Sequence, residues 1–310
     1  MNSLVGYTGF VGSNLYKNGT FDAVYNSKNI RDAYGTRPDL LIYAGLRAEK
    51  YLANNAPEKD MELILQAEDN ITKIAPVKLV LISTIDVFKC PKGVDEYSVI
   101  DTNGLHPYGY NRYQLERWTR EKYPEALIIR LPGLFGDHIK KNFLFDYIRV
   151  VPAILKAKKM EELCLINPLF RNYYSLWDDG LYKLSELTAL EYTQLKERFM
   201  QVGFTALNFT DSRSKYQFYN LNRLWDDIQI ALKNGITLWH PATEPVSARE
   251  LYQYLSGNDF INELEGVPAD YDFRTNYAEM FGGEKGYISC KDSILRQIDA
   301  FIKSQVQGRE

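Results

Sequence analysis

Cysteine is nearly absent from this chain. Its three residues, Cys90, Cys164 and Cys290, lie far apart with no paired spacing, which argues against a disulfide framework and against a zinc site. Each is expected as a buried or partly buried free thiol. Histidine is just as scarce, and none of His106, His138 and His240 has a partner at ligand spacing, so no metal is expected. His106 and His138 read as surface or hydrogen-bonding residues, and His240, ahead of Pro241, as structural. An excess of one charge is also missing. With a formal net charge of −3, and Lys and Arg scattered among Asp and Glu, there is no basic field for nucleic acid. No apolar run is long enough to cross a bilayer, and the N-terminus passes directly into a strand pattern without a signal peptide. The expectation is a cytoplasmic protein with no membrane partner. What is present, 45% hydrophobic and 25% charged residues in 310, describes a globular chain large enough for one sizeable core and a smaller lobe.

The chain is organised around its first turn, Leu4-Val5-Gly6-Tyr7-Thr8-Gly9-Phe10-Val11-Gly12-Ser13-Asn14-Leu15. A short apolar run breaks at Gly6, passes Gly9 and Gly12 at three-residue steps, and continues as a helix start. This is the strand, glycine turn and helix N-terminus of a dinucleotide site. Gly6 permits the tight turn, Gly9 lets the backbone approach a pyrophosphate, and Gly12 lets the helix pack close to the sheet. The helix N-terminus would supply N–H groups and the positive end of its dipole to the phosphates.

Downstream, short strands are expected at 21–26 and 39–45, a helix at 61–71, and a continuous apolar strand at 78–84 whose hydroxyl-bearing end opens at the ligand edge. A helix from about Tyr110 to Lys122, with Leu115 and Trp118 facing inward, precedes a strand at 126–131 stopped by Pro132-Gly133. This alternation starts a doubly wound parallel sheet of the α/β class. Beyond about residue 140 it fails. Residues 142–213 read as a lid or second lobe with helical patches at 160–164 and 184–200, and the sheet resumes at about 214–240. The division is therefore 1–140 for the dinucleotide-binding domain and 141–310 mainly for a smaller mixed substrate lobe. A last amphipathic helix is expected at 293–302.

Thr84 ends the buried fourth strand, and Tyr108-Gly109-Tyr110-Asn111-Arg112 follows after a loop. A tyrosine and a basic residue four positions later share one face at a helix start. The pairing has a chemical purpose. Tyrosine at its ordinary pKa is a poor base at neutral pH, so a fixed positive charge beside it must favour the phenolate for proton exchange with a sugar hydroxyl or carbonyl. Thr84 would hydrogen-bond the same oxygen and orient it.

The turn at 6–12, the strand end at 83–88, Pro107-Tyr108-Gly109-Tyr110-Asn111-Arg112, Leu131-Pro132-Gly133-Leu134-Phe135-Gly136 with Asn142, and the segment 242–251 together resemble the extended short-chain dehydrogenases. These are the NAD(P)-dependent epimerase/dehydratase family acting on nucleotide sugars. The resemblance covers nearly the whole chain in the right order. It implies a Rossmann domain with a C-terminal substrate lobe, catalytic hydroxyls at Thr84 and Tyr108, and Asn142 near the sugar nucleotide. Cofactor contacts would come from Gly6, Thr8, Gly9, Phe10, Val11 and Gly12, from Ala44 and Gly45 after the third strand, from Tyr108 and Arg112, and from Leu131, Pro132 and Leu134 after the fifth. It also places Trp225-Asp226-Asp227 at the lobe interface.

Two positions depart from the family. Arg112 stands where lysine is usual; it can hold a positive charge beside Tyr108 and bond the ribose, but does not readily give up a proton in a relay. Ile85-Asp86 replaces the Asp-Glu pair of sugar dehydratases, which disfavours dehydration. Asp86 is then either an additional proton donor or a cap of the turn before Lys89-Cys90-Pro91. After the second strand the chain has Asn26-Ser27-Lys28 with Arg31 close behind and no acid, so Lys28 favours the 2′-phosphate of NADP over NAD. Arg171, Arg213 and Arg274 are candidates, by position, for a substrate diphosphate. The expected activity is a nucleotide-sugar epimerase or keto-sugar reductase working by hydride transfer. Its rivals are a dinucleotide-binding sensor or scaffold with impaired catalysis, and a reductase of some non-sugar carbonyl. The oligomeric state stays open, a homodimer included.

Overall fold

The structure, a computed structural model, describes residues 1–307. In chain order it begins with β1 (Asn2–Val5), α1 (Phe10–Asn18), β2 (Ala23–Tyr25), β3 (Leu40–Tyr43), α2 (Lys50–Asn55), α3 (Pro57–Ile74), β4 (Lys78–Thr84), α4 (Pro107–Lys122), β5 (Leu127–Leu131) and β6 (Gly133–Phe135). Then follow α5 (Phe143–Arg149), β7 (Ile154–Lys156), α6 (Ala157–Ile166), β8 (Tyr174–Leu176), β9 (Leu181–Leu184) and α7 (Ala189–Gln201). The last elements are β10 (Lys215–Tyr216), β11 (Phe218–Asn220), α8 (Leu224–Lys233), β12 (Leu238–Trp239), β13 (Val246–Ser247), α9 (Ala248–Ser256) and α10 (Lys291–Gln307). By contact the chain divides into two units. The first holds residues 1–139, 215–247 and 269–301; the second holds 140–214, 248–268 and the chain from Ile302.

A six-stranded sheet in the order β12-β5-β4-β3-β1-β2 forms the centre of the first unit, and every neighbouring pair in it is parallel. Parallel strands need covering on both faces, which is why β3 and β5 are buried at every residue. Successive side chains go to opposite sides. Leu4, Ile42, Val80 and Ile129 enter one core with Leu15 of α1 and Leu224 and Ile228 of α8. Val5, Leu41, Leu81 and Ile128 enter the other with Ile64 and Ile71 of α3 and Leu115 of α4. Burying each such side chain contributes about 1.5–3 kcal/mol. From β1 the chain goes to β2 on one side and then to β3 on the other. The strand order therefore reverses between β1 and β3, and a ligand crevice is expected at their carboxyl ends.

The second unit has its own core of Val151, Leu155, Met160, Leu163, Phe170, Tyr174, Leu195 and Phe199, beside an antiparallel sheet in the order β7-β9-β8. The helix expected over 184–200 is corrected here. Leu184 ends β9, which pairs with β7 and β8 on its two sides, and α7 begins at Ala189 after a capping box of Thr188 and Glu191. The last helix begins two residues earlier and runs five further than expected, over Lys291–Gln307. The cysteines also differ from expectation. Cys90 and Cys290 are exposed and only Cys164 is partly buried, the first in the loop before Pro91 and the second just ahead of α10. Trp225 and Asp227, expected between the lobes, make their contacts inside the first unit: Trp225 packs edge-on to Phe21 at 5.0 Å, and Asp227 accepts from the Tyr219 hydroxyl at 2.7 Å.

Candidate functional site

The crevice at the switch point is shaped by glycine. Gly6 leaves β1 with φ +92°, and a Cβ there would lie 2.4 Å from the Ala44 carbonyl oxygen beyond β3. A Cβ on Gly12 would lie 2.0 Å from the Gly6 carbonyl oxygen, so any larger residue would push α1 off the end of β1. Gly9 differs from both. Its Cβ would meet only the Gly6 oxygen, at 3.3 Å, so a side chain there would project into space near the helix start. Gly9 is the N-cap of α1, has no side chain to accept from the helix N–H groups, and no acid occupies the first turn. Such an N-terminus suits an anion. Lys28 lies exposed in the turn after β2, where its own N–H is held by Asn26 Oδ1 at 2.9 Å. Among the described residues neither Lys28 nor Arg31 forms an ion pair. These donors fit a dinucleotide: a diphosphate at Gly9 through Gly12, next to Thr8, Phe10 and Val11, and a 2′-phosphate near Lys28. Ala44 and Gly45 follow β3, and Leu131, Pro132 and Leu134 lie at the carboxyl end of β5 and in β6, with Leu131 beside Thr84 in the register.

Thr84 and Tyr108 meet at the carboxyl end of β4. The α4 helix starts at Pro107, earlier than the expected Tyr110, because His106 caps it: His106 Nδ1 accepts from the Gly109 N–H at 3.0 Å. Tyr108 thus lies in the first turn. Gly109 makes the approach feasible, since a Cβ there would lie 2.1 Å from the Asp86 carbonyl oxygen. Thr84 closes β4, and the Tyr108 phenol is close enough to feel its hydroxyl. Burial pushes that phenol up to about 12; the Arg112 and Thr84 side chains pull it down and Asp86 adds to the rise. Arg112 acts in the expected direction, but burial outweighs it. Tyr108 is therefore a neutral phenol at ordinary pH, a proton donor rather than a phenolate.

Arg112 is buried beneath this ring. Its Nη1 pairs with Asp60 Oδ2, its Nη2 donates to the Arg47 carbonyl at 2.7 Å, and its guanidinium carbon stands 4.3 Å from the Tyr108 ring centroid. Asp60 also accepts from Asn111 Nδ2 at 2.8 Å. The guanidinium is thus anchored by α3 as well as by its own helix.

Asp86 does not cap the turn before Lys89. Thr84 instead caps the short 3-10 turn at 85–87, its hydroxyl accepting the Asp86 N–H at 3.2 Å. The Asp86 carboxylate receives Lys50 Nζ at 2.5 Å, the Thr84 hydroxyl at 3.3 Å and the Tyr271 hydroxyl at 3.0 Å. Lys50, Asp60 and Tyr271 were not singled out from the sequence. Asp60 could have been, because it falls on the buried stripe of α3 with Ile64, Ala67, Ile71 and Ile74, where an unpaired charge would not be tolerated.

The remaining candidates lie elsewhere or are engaged. Asn142 caps α5, its Oδ1 accepting from Leu144 and Phe145 N–H groups at 3.0 and 3.2 Å. Arg213 grips Asp211 with two nitrogens and also pairs with Glu263. Arg274 pairs with Asp272 and stacks on Tyr287 at 3.9 Å. Arg171 is exposed and faces the Tyr182 ring at 5.7 Å. His240 is fully buried between Arg130 and the Arg274 carbonyl, and His138 is exposed. Among the described residues no group of three or more His, Cys, Asp or Glu is placed to hold a metal, and no helix is long and apolar enough to cross a membrane.

Residues 4–153, about half of the chain, match the family described as RmlD substrate binding domain. Over that stretch, just under half of its length, the chain is similar to this family. The RmlD match agrees with the resemblance to NAD(P)-dependent epimerases and reductases read from the motifs. Among curated proteins no sequence matches the chain. Solved structures do. A dTDP-4-dehydrorhamnose reductase from Bacillus anthracis in complex with NADP is 16% identical, with a TM-score of 0.60 over 98% of this chain and 97% of that one. UDP-glucose 4-epimerase from Thermotoga maritima with UDP-glucose is 13% identical, with a TM-score of 0.61 over the whole of both chains. RMD from Pseudomonas aeruginosa complexed with NADPH is 15% identical, with a TM-score of 0.58 over 98% and 99%. At these identities the likeness is one of fold, and it spans nearly the full chain.

Proposed function

We propose that this protein is an NAD(P)-dependent reductase of a nucleotide-linked keto sugar, with NADPH favoured as the hydride donor. The observation that carries the reading is the neutral, buried Tyr108 phenol beside the Thr84 hydroxyl, at the carboxyl end of the strand neighbouring the switch point. NADPH, when bound, supplies a hydride to the carbonyl carbon. Tyr108 gives its phenolic proton to the carbonyl oxygen as that hydride arrives, which completes the alcohol. Thr84 donates to the same oxygen and fixes its direction. Arg112, under the ring, stabilises the phenolate left behind. The same hydroxyl pair would serve an epimerase, but Lys28 and Arg31, with no acid after β2, favour a phosphorylated dinucleotide consumed in stoichiometric reduction. The names of the similar structures, a dTDP-4-dehydrorhamnose reductase with NADP and RMD with NADPH, support this choice. Of the three candidate arginines, Arg171 is the one with no ion pair among the described residues, and it stays a candidate for a substrate diphosphate, as Asn142 does for the sugar nucleotide.

The test is loss of nicotinamide absorbance when purified protein and NADPH meet dTDP-4-dehydrorhamnose or another nucleotide-linked ketone. One observation favours the second reading, a dinucleotide sensor: Arg112 is tied to Asp60 and Arg47 rather than left to the ribose. Tight NADPH binding without oxidation by any such sugar would select it.

A further inference from the structure

A reductase of this design has a replenishment problem. Each turnover removes the phenolic proton of a buried tyrosine, and a guanidinium does not lose a proton near neutral pH. Arg112, enclosed with Asp60 beneath the ring, can stabilise the phenolate but cannot reprotonate it. A different side chain must connect Tyr108 with water.

The structure holds one such connection. Lys50, the first residue of α2, leaves 48% of its side chain exposed while its Nζ lies 2.5 Å from Asp86 Oδ2. Asp86 Oδ2 is 3.3 Å from the Thr84 hydroxyl, which acts on the Tyr108 phenol. The same ammonium stands 5.8 Å from the Tyr108 ring centroid. Asp86 itself is 8% exposed, and its other oxygen is held by the Tyr271 hydroxyl at 3.0 Å. His106 stacks near Tyr108 at 6.2 Å, and Arg112, paired with Asp60, stands 4.3 Å from the ring centroid. An exposed lysine–aspartate pair would ordinarily contribute ~0–1 kcal/mol and little else. This one has its carboxylate anchored inside by the Thr84 and Tyr271 hydroxyls.

We propose that Lys50 is the proton source for Tyr108, acting through Asp86 and Thr84 in the relay position that Arg112 does not fill. The inference rests on the reductase reading. After the phenol has given its proton to the substrate oxygen, Thr84 passes its hydroxyl proton to the phenolate. Asp86, having taken a proton from the Lys50 ammonium, gives one to the Thr84 oxygen, and the resulting Lys50 amine takes a proton from water. One proton enters from solvent, each O–H or N–H broken is matched by one formed, and no electron moves. Lys50 touches no substrate and is a positioning and relay residue.

Lys50→Met and Lys50→Arg separate the proposal from its alternatives. With a fluorinated tyrosine at position 108, whose phenol titrates where the fold survives, fluorine NMR of the cofactor-free protein follows the phenol. Lys50→Met leaves the Asp86 carboxylate uncompensated beside it, so the midpoint should rise by about one pH unit, whereas Lys50→Arg should hold it. In NADPH oxidation by a nucleotide-linked ketone, both variants should lose about a hundredfold in kcat with KM within about twofold, because arginine keeps the charge but not the transferable proton. An unmoved midpoint in Lys50→Met overturns the proposal whether or not turnover is seen, and so does wild-type kcat in Lys50→Arg. If the wild-type protein oxidises NADPH with no such ketone, the reductase reading fails, and the midpoint alone then decides whether Lys50 is coupled to Tyr108.

Discussion

The guanidinium of Arg112 lies over the face of the Tyr108 ring, 4.3 Å from its centroid. From that place the charge favours a phenolate while Asp60 and the Arg47 carbonyl take up its hydrogen bonds. The pair Arg112–Asp60 is 4% and 3% exposed, so removing one member strands a buried charge. Arg112→Met should lower unfolding stability by about 3–5 kcal/mol, measured by urea denaturation, and Asp60→Asn should lower it at least as much, because the stranded guanidinium does not lose its proton. Equal stability in Arg112→Met would show that the pair is hydrated in solution.

The glycines of the first turn should separate by function. Gly12→Ala places a Cβ 2.0 Å from the Gly6 carbonyl oxygen and should destabilise the fold. In Gly9→Ala the added methyl meets the protein only at 3.3 Å, so thermal unfolding should stay near wild type while NADPH affinity, read by titration calorimetry, falls. A Gly9→Ala protein that binds as well as wild type would remove the diphosphate from this turn.

Lys28 predicts cofactor choice. Loss of a charge-assisted contact to the 2′-phosphate should weaken NADP binding by about tenfold in Lys28→Ala, with NAD binding unchanged. An equal loss for both would place Lys28 elsewhere on the dinucleotide.

Stability should depend on acid pH through His240. Burial, followed by the Arg130 charge, holds this imidazole down at about 3 against an ordinary 6.5. The unfolded chain binds the proton first, so the stability contributed is complete above about pH 6.5 and is lost as pH falls toward 3, at no more than about 1.4 kcal/mol per pH unit. His240→Gln should flatten that limb of the urea-denaturation profile.

Much of this arrangement is written locally. The strands at 40–43, 78–84 and 127–131 are buried on both faces and so appear as unbroken apolar runs, and the glycine turn announces the switch point because Gly6 and Gly12 answer steric demands that no other residue meets. Thr84 and Tyr108 are legible through their positions after a strand and at a helix start. Lys50 and Tyr271 are not. Lys50 belongs to a polar segment without periodicity, and Tyr271 reaches Asp86 across 185 residues, a contact that only the folded chain creates. Tyr108 shows a different limit: the sequence identifies the cation that lowers its pKa, whereas the burial that raises it depends on packing from other segments.

The central claim is best tested by following deuterium. NADPH deuterated at the transferable position of the nicotinamide is incubated with a nucleotide-linked keto sugar and either wild-type protein or Tyr108→Phe, and the sugar is analysed by mass spectrometry. Deuterium is expected in the sugar with wild type and a near-complete loss of transfer with Tyr108→Phe, while NADPH binds both proteins equally. Transfer by Tyr108→Phe at the wild-type rate would contradict the claim.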